Sequence, residues 1–349
     1  MRQVKSVKIG DKIIGDGHPC FISVEPGATH TGLESAKKLA KAAKEAGADA
    51  VKYQTMDTDE LMSTESRKHM IDYRTPEGWK KESIYEALKR RELTFDEWRQ
   101  LKGYCDDLGI LFISTPSGPA TVELLADINA AAIKVAKADV NNFYLVELIA
   151  QKKLPVIIDA REKFMDVERG VRICEEKGVR DIVIMHCPSG YPAEFAGIHL
   201  NVIPQIKEIF GYPVAYSDHS VGDYMNYAAL GFGVNFLEKT ITLDRNTDAV
   251  EHYMSLEPAE LKVFIERIKE VEQAFGDPRV IFNSRVKDIH RRSIVTKQQI
   301  KKGQTIRIED LTFKRPGSHL SVEVFNDVVG KKAVRDLECD IFLSEKDFE

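Results

Sequence analysis

Short apolar runs in this chain end, one after another, in side chains that can do chemistry. In order they are Glu25; Lys52 and Gln54; Thr115; Lys134 with Lys137; Asp159; His186 with Cys187; Ser217, Asp218 and His219; and Glu238 with Lys239. A purely structural strand would end in Val or Leu at these places. One unpaired buried ion costs several kcal/mol, so a set of this size persists only if its members neutralise one another or meet a ligand. A single strand-end lysine reads equally well as a satisfied ion pair; a whole ring of such ends points to a site. Lys52, Lys134 and Lys239 suit an anionic substrate, because ammonium groups act as point charges on phosphate or carboxylate. Glu25 and Asp139 suit proton transfer or the binding of sugar hydroxyls. Cys187 beside His186 invites a thiol nucleophile, but nothing in the sequence marks that thiol as activated.

The elements that must position these groups alternate between strand and helix from Phe21 to about Gly276, the pattern of repeated βα units around a parallel sheet. Eight strands are predicted: Phe21 to Glu25, Ala50 to Gln54, Leu111 to Thr115, Ala132 to Ala136, Pro155 to Asp159, Ile182 to Cys187, Val214 to Ser217 and Phe236 to Lys239. Eight strands, each followed by a helical segment, match an α/β fold of the closed (β/α)₈ TIM-barrel type better than a doubly wound sheet. In such a barrel the strand ends converge on one mouth. Leu33, Ala36, Leu39, Ala40, Ala43 and Ala46 recur at helical spacing, with Gly47 as the stop. Thr94 followed by Glu97 reads as a capping box opening a helix that runs through Leu108. Met56 to Glu92 is a long charged insertion expected to fold over the mouth. Residues 1–18 alternate around Gly10-Asp11, a hairpin signal, and are expected to plug the bottom of the barrel.

After Phe275 the helical period is lost in GDPRVIFNSRVKDIHR, which places a domain boundary near Asp277 to Val286. We read 1–280 as the barrel domain, 281–290 as a linker and 291–349 as a separate small, β-rich domain. At roughly 60 residues that last unit has little core of its own and is expected to lean on a partner surface.

Composition narrows the possibilities further. With 50 basic and 55 acidic side chains the net charge is -5, and no field is present to draw nucleic acid or an anionic membrane. No run of about 18 apolar residues occurs, and MRQVKSVKIGDK lacks the apolar core of a signal peptide, so a cytoplasmic protein acting on a small molecule is expected. The five cysteines are scattered, show no Cys-x-x-Cys spacing and default to small buried hydrophobes.

The stretches GDGHPCFISVEPGATHTG, LESAKKLAKAAKEAGADAVKYQT, FISTP, IKVAKADVNN, MHCPSGYP, YSDHSVG, FLEKTITLDRNTDAVEHYMSLEP and RRSIVTKQQIKKGQTIRIEDLTFKRPG, taken in order, resemble the bacterial sialic acid synthases. The resemblance runs from about Lys8 to about Ala333. It implies a TIM barrel followed by an antifreeze-like SAF domain of the β-clip type. It also implies a condensation of phosphoenolpyruvate with N-acetylmannosamine or a related amino sugar, giving a nonulosonic 2-keto acid; water attack at C2 would release phosphate. By the same resemblance Lys52, Thr115 and Lys134 would bind phosphoenolpyruvate, with Ser189 and Ser217 as weaker candidates. Glu25 and Gln54 would face the reacting carbons, Asp139 would stand where the family has a Glu, and Tyr191 and Glu238 would line the sugar side. The family's divalent metal, commonly manganese, would be held by His219. Members form domain-swapped homodimers in which an arginine of the antifreeze-like domain, here Arg315, reaches the other subunit's sugar.

The match fails in places that bear on mechanism. The second metal-binding histidine normally follows Glu-Lys at the eighth strand, but here the triplet is Glu238-Lys239-Thr240, and a threonine hydroxyl is a poor ligand for manganese-class ions. His186, Asp218, Glu251 and His252 are the candidate substitutes, while His30 reads as a packing residue. The family's Lys-Ile-Ala-Ser has become Lys134 to Lys137, and its serine near the end of strand five has become Asp159. The new cation and the new anion are expected to pair with each other or to contact ligand. Glu25-Pro26-Gly27-Ala28 replaces a more usual Glu-Ile-Gly, which implies a different pocket shape; together the departures point to a non-standard acceptor or a different anionic donor. Two other readings stay open: an aldolase or lyase using Lys134 or Lys137 as a Schiff base, and a non-catalytic binding paralogue.

Overall fold

In the computed structural model, which describes residues 4–161, 163–276 and 288–349, the eight apolar runs are the staves of one closed barrel. A hairpin precedes it, β1 (Val7–Ile9) and β2 (Lys12–Ile14). The barrel strands are β3 (Phe21–Glu25), β4 (Ala50–Thr55), then, after the insertion hairpin of β5 (Met70–Thr75) and β6 (Gly78–Ser83), β7 (Leu111–Pro116), β8 (Ala132–Val135), β9 (Val156–Asp159), β10 (Ile182–His186), β11 (Val214–Asp218) and β12 (Phe236–Thr240). All neighbours are parallel, and β12 closes on β3, pairing Glu238 with Ser23 and Thr240 with Glu25. Observed and predicted limits differ by at most one residue per strand.

Successive side chains on a strand face opposite ways, and that alternation sorts chemistry from packing. On β4, Lys52 and Gln54 face the barrel axis while Tyr53 faces out. Tyr53 stacks on Phe112 with ring centroids 5.4 Å apart, and Trp98 closes on both at 5.9 and 6.4 Å. His30 joins this cluster at 5.8 Å from Tyr53 and is fully buried. Burial, helped by the charge of Arg91, holds its pKa down at about 3, so it packs as a neutral ring.

Outside the strands, helix Leu33–Ala46 buries Ala36, Leu39, Ala40, Ala43 and Ala46, the periodic positions of the sequence. Gly47 ends it in the left-handed region at φ 95°, which a Cβ would disfavour. Helix Phe95–Leu108 opens on the Thr94–Glu97 capping box, with both reciprocal bonds made.

The β1–β2 hairpin turns at Gly10-Asp11 and buries Ile9 and Ile14. Its Lys8 N–H donates to Asp181 Oδ1 at 2.7 Å, and Gly10 lies against the Leu111 side chain at the start of β7. The hairpin therefore covers the N-terminal end of the barrel, as its sequence position required. At the opposite end the insertion between β4 and helix Phe95–Leu108 folds back over the mouth. Tyr73 Oη donates to Asp248 Oδ1 at 2.9 Å, and Arg91 Nη1 donates to the Ala28 carbonyl at 3.2 Å. Tyr73, Ala87 and Val250 form a small apolar patch beneath it.

Two compact units divide the chain, Met1–Phe275 and Gly276–Glu349. In the second, β13 (Ser293–Thr296) pairs antiparallel with β14 (Leu311–Lys314) around a core of Ile294, Ile300, Ile306, Leu311, Val328, Ala333, Leu337 and Leu343. The boundary expected at 277–286 and most of the 281–290 linker lie outside the described residues. No helix among the described residues is long and apolar enough to cross a membrane.

Candidate active site

At the C-terminal end of the strands lies a cavity of about 420 Å³, a size suited to a small-molecule ligand. Of the residues singled out by sequence, it gathers Glu25, Lys52, Gln54, Thr115, Lys134, Lys137, Asp139, Asp159, Tyr191, His219 and Glu238. Met56, Leu61 and Leu88 from the insertion supply apolar lining.

Two lysine–glutamate pairs organise the floor. Lys52 Nζ lies 2.5 Å from Glu25 Oε2, and Lys134 Nζ lies 2.8 Å from Glu238 Oε1, with every partner at least nine-tenths buried. Ser217 Oγ donates to the same Glu238 oxygen at 2.8 Å. Gln54 Nε2 donates to Glu25 Oε1 at 3.4 Å. The two carboxyls diverge in acidity. Burial raises both, but for Glu25 it prevails over Lys52, with the Glu238 charge adding to it, and the group titrates at about 7. For Glu238 the ammoniums of Lys134 and Lys52 override burial and hold the carboxyl at about 2. Two acids pushed apart by their surroundings are the usual mark of divided acid–base roles. Glu238 stays ionised, while Glu25 exchanges a proton near neutrality.

Gly27 lets the chain turn over this floor. A Cβ there would stand 2.5 Å from Glu25 Oε1 and 2.7 Å from the Tyr53 Cα, and backbone cannot yield as a side chain can. Gly27→Ala is expected to displace Glu25 and cut turnover at least about tenfold, checked by steady-state kinetics together with circular dichroism to confirm that the fold remains.

Lys239 requires a correction. It does not line the cavity; the alternation that turns Glu238 inward turns Lys239 outward, to pair with Asp218 Oδ2 at 2.7 Å and the Ser220 carbonyl at 2.7 Å. Asp218 also accepts from Tyr216, Ser220 and Asn226, and the pair is fully buried. This is a structural strut between β11 and β12. Lys239→Met is expected to cost about 3–5 kcal/mol, read as a lowered denaturation midpoint.

Other candidates part company with the cavity as well. Ser189 is exposed and does not line it, and Ser217 sits below it, bonded to Glu238. Arg315 is exposed on the second unit. Asp139 lines the mouth, where burial raises its pKa against a bond from Asn142. Asp159 does not take Lys137 as its partner: both its oxygens accept from Arg161, Nε at 3.0 Å and Nη2 at 2.7 Å. The sequence reading missed Arg161, although Asp-x-Arg at a strand end was a readable signal for it. Cys187 lines the cavity with its thiol pushed up to about 11 by burial, the opposite of an activated nucleophile.

The donors present do not fit the metal centre implied by the resemblance. Among the described residues no three His, Cys, Asp or Glu groups converge to hold an ion. His219, stacked on Tyr191 at 5.2 Å and held below the usual imidazole range by burial, offers one buried, unpartnered Nδ1. The substitutes are otherwise engaged. His186 Nε2 bonds the Ile198 carbonyl at 2.6 Å, His252 Nδ1 bonds Thr242 Oγ1 at 2.8 Å, and Asp218 is committed to Lys239. Glu251 lines the cavity, and Thr240 is buried on the Glu238 face of β12. What remains is one imidazole with the Glu251 carboxylate acting on it, in place of the two imidazoles that the resemblance implies.

Comparison with known proteins agrees with the geometry. Residues 39–279 match the NeuB family model, and residues 291–349 match the SAF domain. Over 342 residues, 97% of each chain, the protein is 34% identical to an uncharacterized protein of Methanocaldococcus jannaschii. It is 31% identical over 340 residues, 95% of each chain, to the N,N'-diacetyllegionaminic acid synthase of Legionella pneumophila. The crystal structure of N-acetylneuraminic acid synthetase from Leptospira borgpetersenii, in complex with citrate, superposes with a TM-score of 0.71 at 26% identity, covering 81% of this chain and 94% of that one. With a matched barrel, a matched terminal domain and relatives aligned along nearly the whole length, the chain belongs to the NeuB family of sialic acid synthases.

Proposed function

We propose that this protein condenses phosphoenolpyruvate with the open-chain aldehyde of an amino sugar, N-acetylmannosamine or a relative, to give a nonulosonic 2-keto acid and inorganic phosphate. The carrying observation is the pair of buried lysines, Lys52 and Lys134, facing one cavity beside two carboxyls of opposite acidity. An incoming dianion would take the ammonium charge that Glu25 and Glu238 now hold. Thr115 and Lys137 extend the anion-binding side, and Asp139 and Tyr191 the sugar side. Glu238, ionised, would stabilise positive charge developing at C2, and Glu25 would accept a proton from the water that attacks there. Relatives named for synthases of legionaminic, N-acetylneuraminic and pseudaminic acids support the reaction class and leave the acceptor open. The same family reading supports a homodimer in which Arg315 serves a neighbouring subunit's acceptor.

A Schiff-base lyase would need a lysine of lowered pKa. Burial works to lower the pKa of Lys134, but the charges of Glu238, Cys187 and Asp159, together with the hydrogen bond to Glu238, override burial and drive the pKa upward instead. Incubation with phosphoenolpyruvate and a panel of hexosamines and their phosphates, with and without manganese, is expected to release phosphate with at least one acceptor. Silence with every aldehyde would overturn the reading in favour of a binding-only protein.

A further inference from the structure

NeuB-family enzymes are generally metal-dependent, whereas this chain has Thr240 at the second ligand position and a guanidinium in the same cavity. We propose that Arg161, fixed by Asp159, supplies the positive charge that activates the acceptor aldehyde, in place of a metal ion. The inference rests on the condensation proposed above.

Asp159 is the inward-facing last residue of β9 and is fully buried. Its carboxylate takes the Nε and Nη2 edge of Arg161 and, through Oδ1, the Arg161 backbone N–H at 3.0 Å. Four hydrogen bonds from three donors within a three-residue arc leave the guanidinium plane little freedom. The opposite edge remains, and Nη1 makes no hydrogen bond among the described residues. Arg161 lines the cavity with Cys187, Tyr191 and His219, and its charge acts on all three. It therefore stands on the His219 side, where the family reading puts the metal and the sugar, while Lys52 and Lys134 are engaged across the floor with Glu25 and Glu238.

The chemistry balances without an ion. C3 of the enol attacks the aldehyde carbon, and the carbonyl π pair moves to oxygen. The forming alkoxide is met by the two outward N–H groups of Arg161 and then takes a proton from solvent; arginine itself keeps its protons. Water adds at C2 and gives a proton to Glu25. The bond between C2 and the phosphate oxygen then breaks, phosphate leaves with the electron pair, and the C2 hydroxyl gives its proton to the departing phosphate as the keto group forms.

The test uses the full-length protein. After exhaustive treatment with a chelator, phosphate release is expected to be unchanged, and manganese titrated in the absence of substrate should keep its free-ion paramagnetic resonance signal. Arg161→Ala should lower kcat by about 10²–10³ with the KM for phosphoenolpyruvate retained, and added guanidinium ion should restore part of the loss. Because that variant leaves Asp159 buried without a partner, Asp159→Ser/Arg161→Ala, which removes the carboxylate as well, should fold and show the same kcat defect. An active enzyme stopped by chelation and revived by manganese would overturn this inference and leave the synthase reading intact. So would a raised KM for phosphoenolpyruvate with kcat unchanged, which would make Arg161 a phosphate clamp. A wild-type protein that releases no phosphate with any acceptor would remove both readings together.

Discussion

Lys134→Met is expected to abolish measurable turnover, a fall of at least about 10³, and to lower stability by about 3–5 kcal/mol. The two effects have different origins. The kinetic loss follows from removing one of the two ammonium groups that face the anion, and the stability loss from stranding Glu238 as a buried, ionised carboxylate. They separate in the double variant Lys134→Met/Glu238→Gln. With no charge left unpaired, the denaturation midpoint should return most of the way to wild type while activity stays lost. Lys239→Met should show the reverse of that double variant's dissociation. Its partner Asp218 belongs to a strut behind the barrel wall, so stability falls while turnover per folded molecule is retained.

The second large effect concerns Glu25. Burial, outweighing Lys52, raises its carboxyl to about 7, so the ionised base needed to accept a proton from water forms only as the pH rises through that value. kcat/KM should therefore climb through pH 7; an unshifted carboxyl would place the limb two to three units lower. Glu25→Gln should remove the limb and cut kcat by about 10²–10⁴. The stability linkage carries a definite sign. The folded pKa lies above the unfolded value of 4.5, so the contribution is full below pH 4.5 and is lost as the pH rises through about 7. Thermal scans of wild type and Glu25→Gln across that window should diverge accordingly.

The barrel was legible because parallel strands buried on both faces read as unbroken apolar runs, and eight of them stand out from Phe21 to Thr240. The capping box at Thr94, the stop at Gly47 and the Gly10-Asp11 turn were equally local signals. The site was legible where a charge falls on an inward position, as at Glu25, Lys52, Lys134 and Glu238. It misled at Lys239, because a strand end offers two faces and only the register with Asp218 shows which one the lysine takes. Arg161 lay two residues beyond the end of its strand, and the Asp159-x-Arg161 spacing that signals the ion pair does not by itself show that the guanidinium turns into the cavity. His30 and Tyr53 show the converse: polar types near the mouth that serve packing.

Diffraction from crystals soaked in phosphoenolpyruvate tests most directly whether the buried lysines exist to hold a small anion. The expected result is ligand density in the mouth cavity with Lys52 and Lys134 Nζ each within about 3 Å of a carboxylate or phosphate oxygen, their glutamates displaced. Density at any other place on the protein, or an empty cavity with both lysine–glutamate pairs unbroken at saturating ligand, would contradict it.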